Sequence, residues 1–506
     1  MSRIVSRRQF LAYSSAAAAV AGTAGILPLT RAAADTSAPT DLRIVQRNLE
    51  VLGKPAKVFG IVRANGQPGL FLQPDERFNV NLLNQVGEDA VIHWHGMTPP
   101  YLQDGVADSK RPLIVPGKSA AYDFVPQPGT HWMHSHHGLQ EQLLMAAPLI
   151  VRTKEDVAAD VQEVTVLLHD FTFKNPVDVL NGLTKGSTSA ASHDMSMPGM
   201  DMSGGGNMNM PGMDMSGGST MKMESGQTMS PADSMQMDLN DVNYDAYLAN
   251  DRTLEDPEVV RVERNGRVRL RLINGATSTA FYLHFLDLSG DLIAVDGNPI
   301  KPVNIKRIGV SMGQRIDVLI TLPRSGSFPI LAQREGDTAR TGIILASPGA
   351  SVGKVDSVAS RKSETLDLSL EATLRPLQPL SARAADVTHK IQLTGSMQPY
   401  VWSIDGLTWE NHRPLKVSEG QRVVVEMVNQ TMMAHPMHLH GHHFQVIGIN
   451  GVPVNGAVRD TVLVPAMASV SVAFDAHNPG RWPLHCHNLL HMATGMMTEV
   501  VYDQYA

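Results

Sequence analysis

Cysteine is nearly absent. The 506-residue chain has one, Cys486, so an internal disulfide framework is excluded. A surplus of positive charge is missing too: the formal charge is −7, which leaves no basic footprint to attract nucleic acid. Aromatic residues make up 5% and charged residues 18% of the chain, an ordinary composition for a soluble globular protein. Long helical periodicity is lacking as well. In its place stand short alternating runs punctuated by Gly, Pro and Asn, which argue for an all-β chain of β-sandwich domains.

The N-terminus reads as an export signal. Ser6-Arg7-Arg8-Gln9-Phe10-Leu11 resembles the twin-arginine motif, and a mostly apolar run follows over 16–29. That run is shorter than the roughly 20 residues of a membrane span, and Ala32-Ala33-Ala34 offers an A-x-A cleavage site. Residues 1–34 are expected to be a signal peptide read by the twin-arginine export machinery. The mature protein would then be periplasmic and without a membrane span.

Three alternating runs repeat along the chain: Phe78-Asn79-Val80-Asn81-Leu82-Leu83-Asn84, Val268-Arg269-Leu270-Arg271-Leu272-Ile273-Asn274 and Val423-Val424-Val425-Glu426-Met427-Val428-Asn429. Each ends at Asn, and each is followed by a Gly-containing turn (Pro128-Gly129-Thr130, Ser325-Gly326-Ser327, Pro479-Gly480-Arg481) that leads into a strand-like run. Three repeats imply three sandwiches, with boundaries expected at 35–155, 156–360 and 361–506. Residues 193–237 break the pattern. Thirteen methionines lie there among Gly, Ser, Asp, Asn and Pro, with MPGMDMSGG occurring twice. Such a stretch cannot build a core and is expected to be a disordered insertion in the second domain. Its M-x-M and M-x-x-M spacings suit soft thioether ligation of Cu(I).

Between His485 and Met496 the chain reads HCHNLLHMATGM. A thiolate, an imidazole five residues later and a thioether five beyond are the ligand set of a blue-copper electron-transfer site. In a strand, alternate side chains face opposite ways, so Cys486 would face one centre while His485 and His487 face another. Shifting by 345 positions carries His93 and His95 onto His438 and His440, and shifting by 351 carries His134 and His136 onto His485 and His487. The corresponding middle-repeat positions are Leu283/Phe285 and Leu331/Gln333, with His284 one residue off the ligand face. The cluster is therefore expected between the first and third domains. Within His435-x-x-His438-x-His440 the last two share a face, whereas His435 points elsewhere. His131, His137, His442 and His443 neighbour these motifs without fitting the pattern and are expected in supporting or surface roles.

These motifs closely resemble the copper signatures of the multicopper oxidase family, and length and repeat match its three-domain laccases and copper-resistance oxidases. The resemblance implies cupredoxin-like Greek-key sandwiches and four copper ions. It assigns His435, Cys486, His491 and axial Met496 to a type 1 copper, and His93 and His438 to a type 2 copper. His95, His134, His136, His440, His485 and His487 would hold a type 3 pair. Asp104 matches the acid that relatives place beside the cluster. Two positions depart from some copper-resistance oxidases: Met492 stands where they carry an acid after the second type 1 histidine, leaving Glu141 as a substitute, and Thr431 stands where they carry another. The implied activity is reduction of O2 by four one-electron oxidations of Cu(I), in copper tolerance. A laccase-type oxidation of small phenols or aromatic amines is the alternative, and copper sequestration without turnover a third reading.

Overall fold

Alternation in the sequence becomes alternation of burial in the strands. In Phe78–Asn84, residues Phe78, Val80, Leu82 and Asn84 are buried while Asn79, Asn81 and Leu83 are partly exposed. The computed structural model describes residues 38–106, 111–189 and 239–505; the signal peptide expected at 1–34 and the methionine-rich segment 193–237 lie outside the described residues. Six sheets form three sequential pairs, each pair closing over an apolar core. These are three cupredoxin-like β-sandwiches, which pack as one unit over Thr40–Ala506.

All three sandwiches use one topological device. The entering strand pairs in parallel with the strand that ends at the repeated Asn, as in Thr40↔Val80, Gln162↔Val268 and Val387↔Val423. Parallel pairing of this kind requires a crossover instead of a hairpin. The repeated Asn itself does more than make a turn. Asn84 donates to the carbonyls of Ile114 (2.6 Å) and Glu88 (2.8 Å) and accepts from Val86 N (3.0 Å). Asn274 treats Val310, Thr279 and Ala276 the same way, and Asn429 treats Val464, Met433 and Thr431 the same way. Each buried amide thus satisfies backbone groups of the connection that leads into the next strand.

In the first and third sandwiches that next strand carries histidines, Ile92–His95 and His435–Leu439. The middle sandwich differs from the sequence expectation by one residue. Leu283 and Phe285 lie in its core, while the outward face is taken by Tyr282 and His284, paired across to Gln333 and Leu331. The cause is a longer connection: His284 follows Asn274 by ten positions, but His93 follows Asn84 and His438 follows Asn429 by nine.

Candidate metal centre

His435 opens the strand His435–Leu439 and Cys486 closes the neighbouring strand Arg481–Cys486, where Met437 pairs with Cys486. The chain then turns into the short helix Leu489–Ala493, capped by the Asn488 side chain, which accepts from Leu490 N and His491 N. That cap aims His491 back at the strand ends. The Nδ1 atoms of His435 and His491 are 3.1 Å apart, and each lies 3.7 Å from Cys486 Sγ. Met496 joins the group through its backbone, accepting from Cys486 N (3.0 Å), and is buried in the same core. None of the four has any exposed surface.

The hydrogen bonds fix which nitrogens are bare. His491 Nε2 faces the Asp241 carboxylate at 3.3 Å, so it carries the proton. His435 Nε2 faces Thr431 Oγ1 at 2.8 Å, and that hydroxyl already donates to Asn429 Oδ1. Both Nδ1 atoms are then lone pairs turned toward one another and toward the sulfur, with no hydrogen to share between them. Burial pushes the Cys486 thiol up, so a thiolate here needs a cation beside it. The donor set fits a copper ion.

A second group lies on the other side of the Cys486 segment, where His485 and His487 meet histidines of the first sandwich. His93 Nε2 and His438 Nε2 are 3.4 Å apart, and their Nδ1 atoms donate to the carbonyls of Asp104 (3.0 Å) and Asp460 (2.9 Å). His440 Nε2 and His136 Nε2 approach His485 Nε2 at 3.0 and 3.4 Å, and His485 Nδ1 donates to the Cys486 carbonyl. His95, His134 and His487 face one another with ring centroids 4.9–5.6 Å apart. His95 Nδ1, His134 Nε2 and both His487 nitrogens are buried without a partner. Carbonyls can only accept, so the nitrogens anchored on them hold the protons and the opposite nitrogens of those rings are bare lone pairs; His487, with neither nitrogen anchored, has one N–H and one lone pair. Orphaned buried acceptors of this kind are costly unless a cation joins them, and the residues fit copper ions.

Burial, reinforced by neighbouring histidines, holds His95, His134, His440, His485 and His487 well below 6.5 and His136 down to about 3. The imidazoles are therefore neutral, the form that binds metal. Asp104 is buried, with Oδ2 2.8 Å from His440 Nδ1 and Oδ1 3.5 Å from His93 Nδ1 but without a hydrogen bond. Glu141 Oε2 lies 2.9 Å from His134 Nδ1; burial, with the charge of Asp170 adding to it, pushes this carboxyl well above its usual range. Sequence reasoning missed two acids. Asp460 mirrors Asp104: its carbonyl takes His438 and its Oδ1 lies 3.1 Å from His95 Nε2. Asp241 grips His491. Neither repeat shift reaches them, since a shift of 345 carries Asp104 onto Ile449. The remaining histidines turn outward from the two groups. His442 Nε2 meets the Tyr502 hydroxyl at 2.7 Å, His443 Nε2 the Gly96 carbonyl at 2.8 Å and His131 Nε2 the Gln127 carbonyl at 3.1 Å; His137 is half-buried.

Comparison with known proteins agrees with this geometry. Three sequence models described as multicopper oxidase match residues 43–156, 162–347 and 383–505. The multicopper oxidase MmcO of Mycobacterium tuberculosis is 31% identical over 84% of this chain and 79% of that protein. Copper resistance protein A of Escherichia coli is 26% identical over 99% of both chains. Among solved structures, the multicopper oxidase Fet3p, which functions in iron import, superposes with a TM-score of 0.71 at 18% identity, over 92% of this chain and 90% of that one. The chain belongs to the multicopper oxidase family and is a copper-dependent oxidoreductase that uses oxygen.

Proposed function

We propose that the protein is a periplasmic cuprous oxidase of copper tolerance, with one type 1 copper held by His435, Cys486, His491 and Met496. In this reading His93 and His438 hold the type 2 copper, and His95, His134, His136, His440, His485 and His487 hold the type 3 pair. When bound, the four coppers supply one-electron acceptance at the first site and reduction of O2 to two waters at the second. The observation that carries the reading is the Cys486 segment. Its sulfur lies 3.7 Å from two bare imidazole nitrogens, and the residues bonded to it on either side, His485 and His487, belong to the other group. Cys486 is thereby a covalent bridge between the two groups.

The other roles belong to the protein. Asp241 and Thr431 hold the outer nitrogens of His491 and His435, which fixes the tautomer needed for ligation. Asp104 holds His440 and lies where it can hand protons to reducing oxygen. Thioethers of the 193–237 segment would gather Cu(I), and relatives named copper resistance protein favour that donor over phenols. The complete burial of His435, Cys486, His491 and Met496 points the same way, since a bulky phenol finds no ligand edge to touch. Oxygen uptake by the copper-loaded mature protein, with Cu(I) and a dimethoxyphenol as matched donors, tests the proposal. Much faster uptake with Cu(I) is expected; faster uptake with the phenol would make this a laccase, and full copper loading without uptake on either would leave a storage protein. Export is tested by the mature N-terminus, expected just after Ala34.

A further inference from the structure

The middle sandwich contributes none of the twelve expected ligands, yet one of its turns, 311–315, lies against the histidine cluster. Gly313 has φ +79°, and a Cβ there would fall 2.8 Å from His487 Cδ2 and 3.2 Å from His95 Cε1. The turn's backbone is therefore a wall of the site, and the missing side chain is what lets the two rings approach it. Two residues later Arg315, fully buried, reaches all three sandwiches. Its Nε donates to the Thr130 carbonyl (3.1 Å), its Nη1 to the Gly313 carbonyl (3.1 Å), and its fork closes on the Asp460 carboxylate through Nη1 (2.6 Å) and Nη2 (2.5 Å).

Asp460 is where this matters. Its Oδ1 lies 3.1 Å from His95 Nε2 and also takes the Thr461 hydroxyl at 2.8 Å. Thr461 Oγ1 in turn lies 3.1 Å from His95 Nε2 and 3.2 Å from His438 Nδ1. The result is a reversal. His93, His134, His438, His440 and His485 are each anchored through Nδ1 and turn Nε2 inward. His95 is anchored through Nε2 and turns Nδ1, which has no partner, toward the cluster. Asp460, together with the Thr461 hydroxyl that donates to it, makes that choice, and the two-pronged guanidinium is what orients the carboxylate. Burial pushes the Asp460 carboxyl up, but Arg315 together with His438 and His95 outweighs this and holds it well below the usual carboxylate range. Arg315 is itself held from behind. Its backbone N donates to Asp296 Oδ1 (2.9 Å), Asp296 Oδ2 accepts from Arg459 (3.2 Å), and Arg459 Nε donates to Glu371 (2.9 Å).

We propose that the middle domain completes the oxygen-reducing site through the turn 311–315, and that Arg315 is a positioning residue that acts through Asp460 to set which nitrogen of His95 faces the metal. This rests on the assignment of His95 to the coupled copper pair given above. Without Arg315 the Asp460 carboxylate loses both prongs in a place closed to solvent, and His95 loses the acceptor that holds it reversed.

The test uses the full copper-loaded chain with Arg315→Met, Arg315→Lys and Asp460→Asn, read by copper content and by the absorption and paramagnetic resonance of each copper class. The blue band is the folding control, because the hydrogen bonds and ion pairs of Arg315 go to Thr130, Asp296, Gly313 and Asp460 and not to His435, Cys486 or His491. For Arg315→Met we expect a normal blue band, loss of the near-ultraviolet band of the coupled pair, and copper affinity at the pair lower by about 10- to 100-fold. Asp460→Asn should lose the same band, and Arg315→Lys, which keeps the charge but not the fork, should recover only part of it. A full pair band and full copper content in Arg315→Met would overturn the proposal; should that variant yield no blue protein, the same result in Asp460→Asn decides it. Wild-type protein with a blue band but no coupled-pair band would overturn the assignment of His95 instead, so the two failures are distinct.

Discussion

Asp241 offers the sharpest test of the type 1 assignment, because its charge is fixed, hidden and close. Its side chain has no exposed surface and accepts from Tyr400 Oη (2.7 Å), Asn488 Nδ2 (2.7 Å) and His491 Nε2 (3.3 Å). Burial pushes its carboxyl up, but His491, Asn488 and Tyr400 outweigh this and hold it below the usual carboxylate range, so it is anionic at neutral pH. An anion behind His491 favours the more positive oxidation state of a copper on the other ring nitrogen. Asp241→Asn removes one unit of charge at roughly 7 Å, the hydrogen bond plus the ring and one ligand bond. At an effective dielectric of about 20 that is worth about 2 kcal/mol. For one electron, with about 59 mV for each tenfold change, this is on the order of 100 mV. The midpoint should rise by that amount in a spectroelectrochemical titration of the blue band, with the intensity of the band unchanged. Stability should fall by about 1–3 kcal/mol, because the new amide turns a donor toward groups that are already donors. A midpoint that stays put or falls, with the band intact, would refute the placement of copper on His491 Nδ1.

Three further outcomes follow from particular residues. Asp104→Asn should slow oxygen reduction while leaving the blue band intact, because Asp104 touches His440 and His93 but none of the type 1 group; unchanged turnover would remove Asp104 from proton delivery. Burial raises Glu335 to about 7, against a backbone hydrogen bond from Leu366 that acts to lower it. The folded state therefore holds that proton longer than the unfolded chain, and its stabilising effect, complete below pH 4.5, is lost as pH rises to about 7, a difference of about 3 kcal/mol. Glu335→Gln should accordingly raise Tm above pH 7 and leave it unchanged below 4.5. His95, His134, His136, His438, His440, His485 and His487 run the other way: burial holds their folded values below 6.5, so copper-free protein should lose stability as pH falls from 6.5. The copper-loaded form should hold its Tm further down, and parallel curves would argue against metal on these nitrogens.

The candidate ligand motifs were visible in the sequence because metal chemistry restricts residue type and strand geometry restricts spacing. His93 and His95 leave the sheet on the same side while Trp94 enters the core against Phe78, and a spacing of two is visible in any alignment of the repeats. His435 and Cys486 were legible for the same reason. The supporting groups were not. Asp460 and Arg315 act through contacts between residues 145 apart in the chain, Asp241 and His491 are 250 apart, and no local period constrains such pairs. The middle-domain register failed for a simpler reason: one extra residue before His284 reverses every side chain of a strand, and spacing counted from Asn274 has no means of detecting it.

The three repeated asparagines explain why the middle domain could take up its part. In each sandwich the backbone of the Asn bonds to a turn on the neighbouring connection: Asn84 N to Lys118 O, Asn274 N to Gln314 O, and Asn429 N to Ala468 O, at 2.9–3.0 Å. Each turn carries one residue at positive φ just before its bonded carbonyl, Gly117, Gly313 and Met467. A Cβ at Gly117 would meet nothing within 4 Å, and Met467 is 67% exposed. Positive φ alone therefore does not demand glycine here, since methionine accepts it at the surface at a modest cost in strain. Gly313 is the copy that faces His487 and His95, where a side chain has no room. The same clamp and turn thus present histidine-bearing strands in the first and third sandwiches. In the second, where the histidine pairs are gone, they present a bare backbone wall and, two residues on, the guanidinium that holds Asp460. If the proposal for Arg315 holds, the middle domain serves the site as a support through this turn, without supplying a histidine of its own.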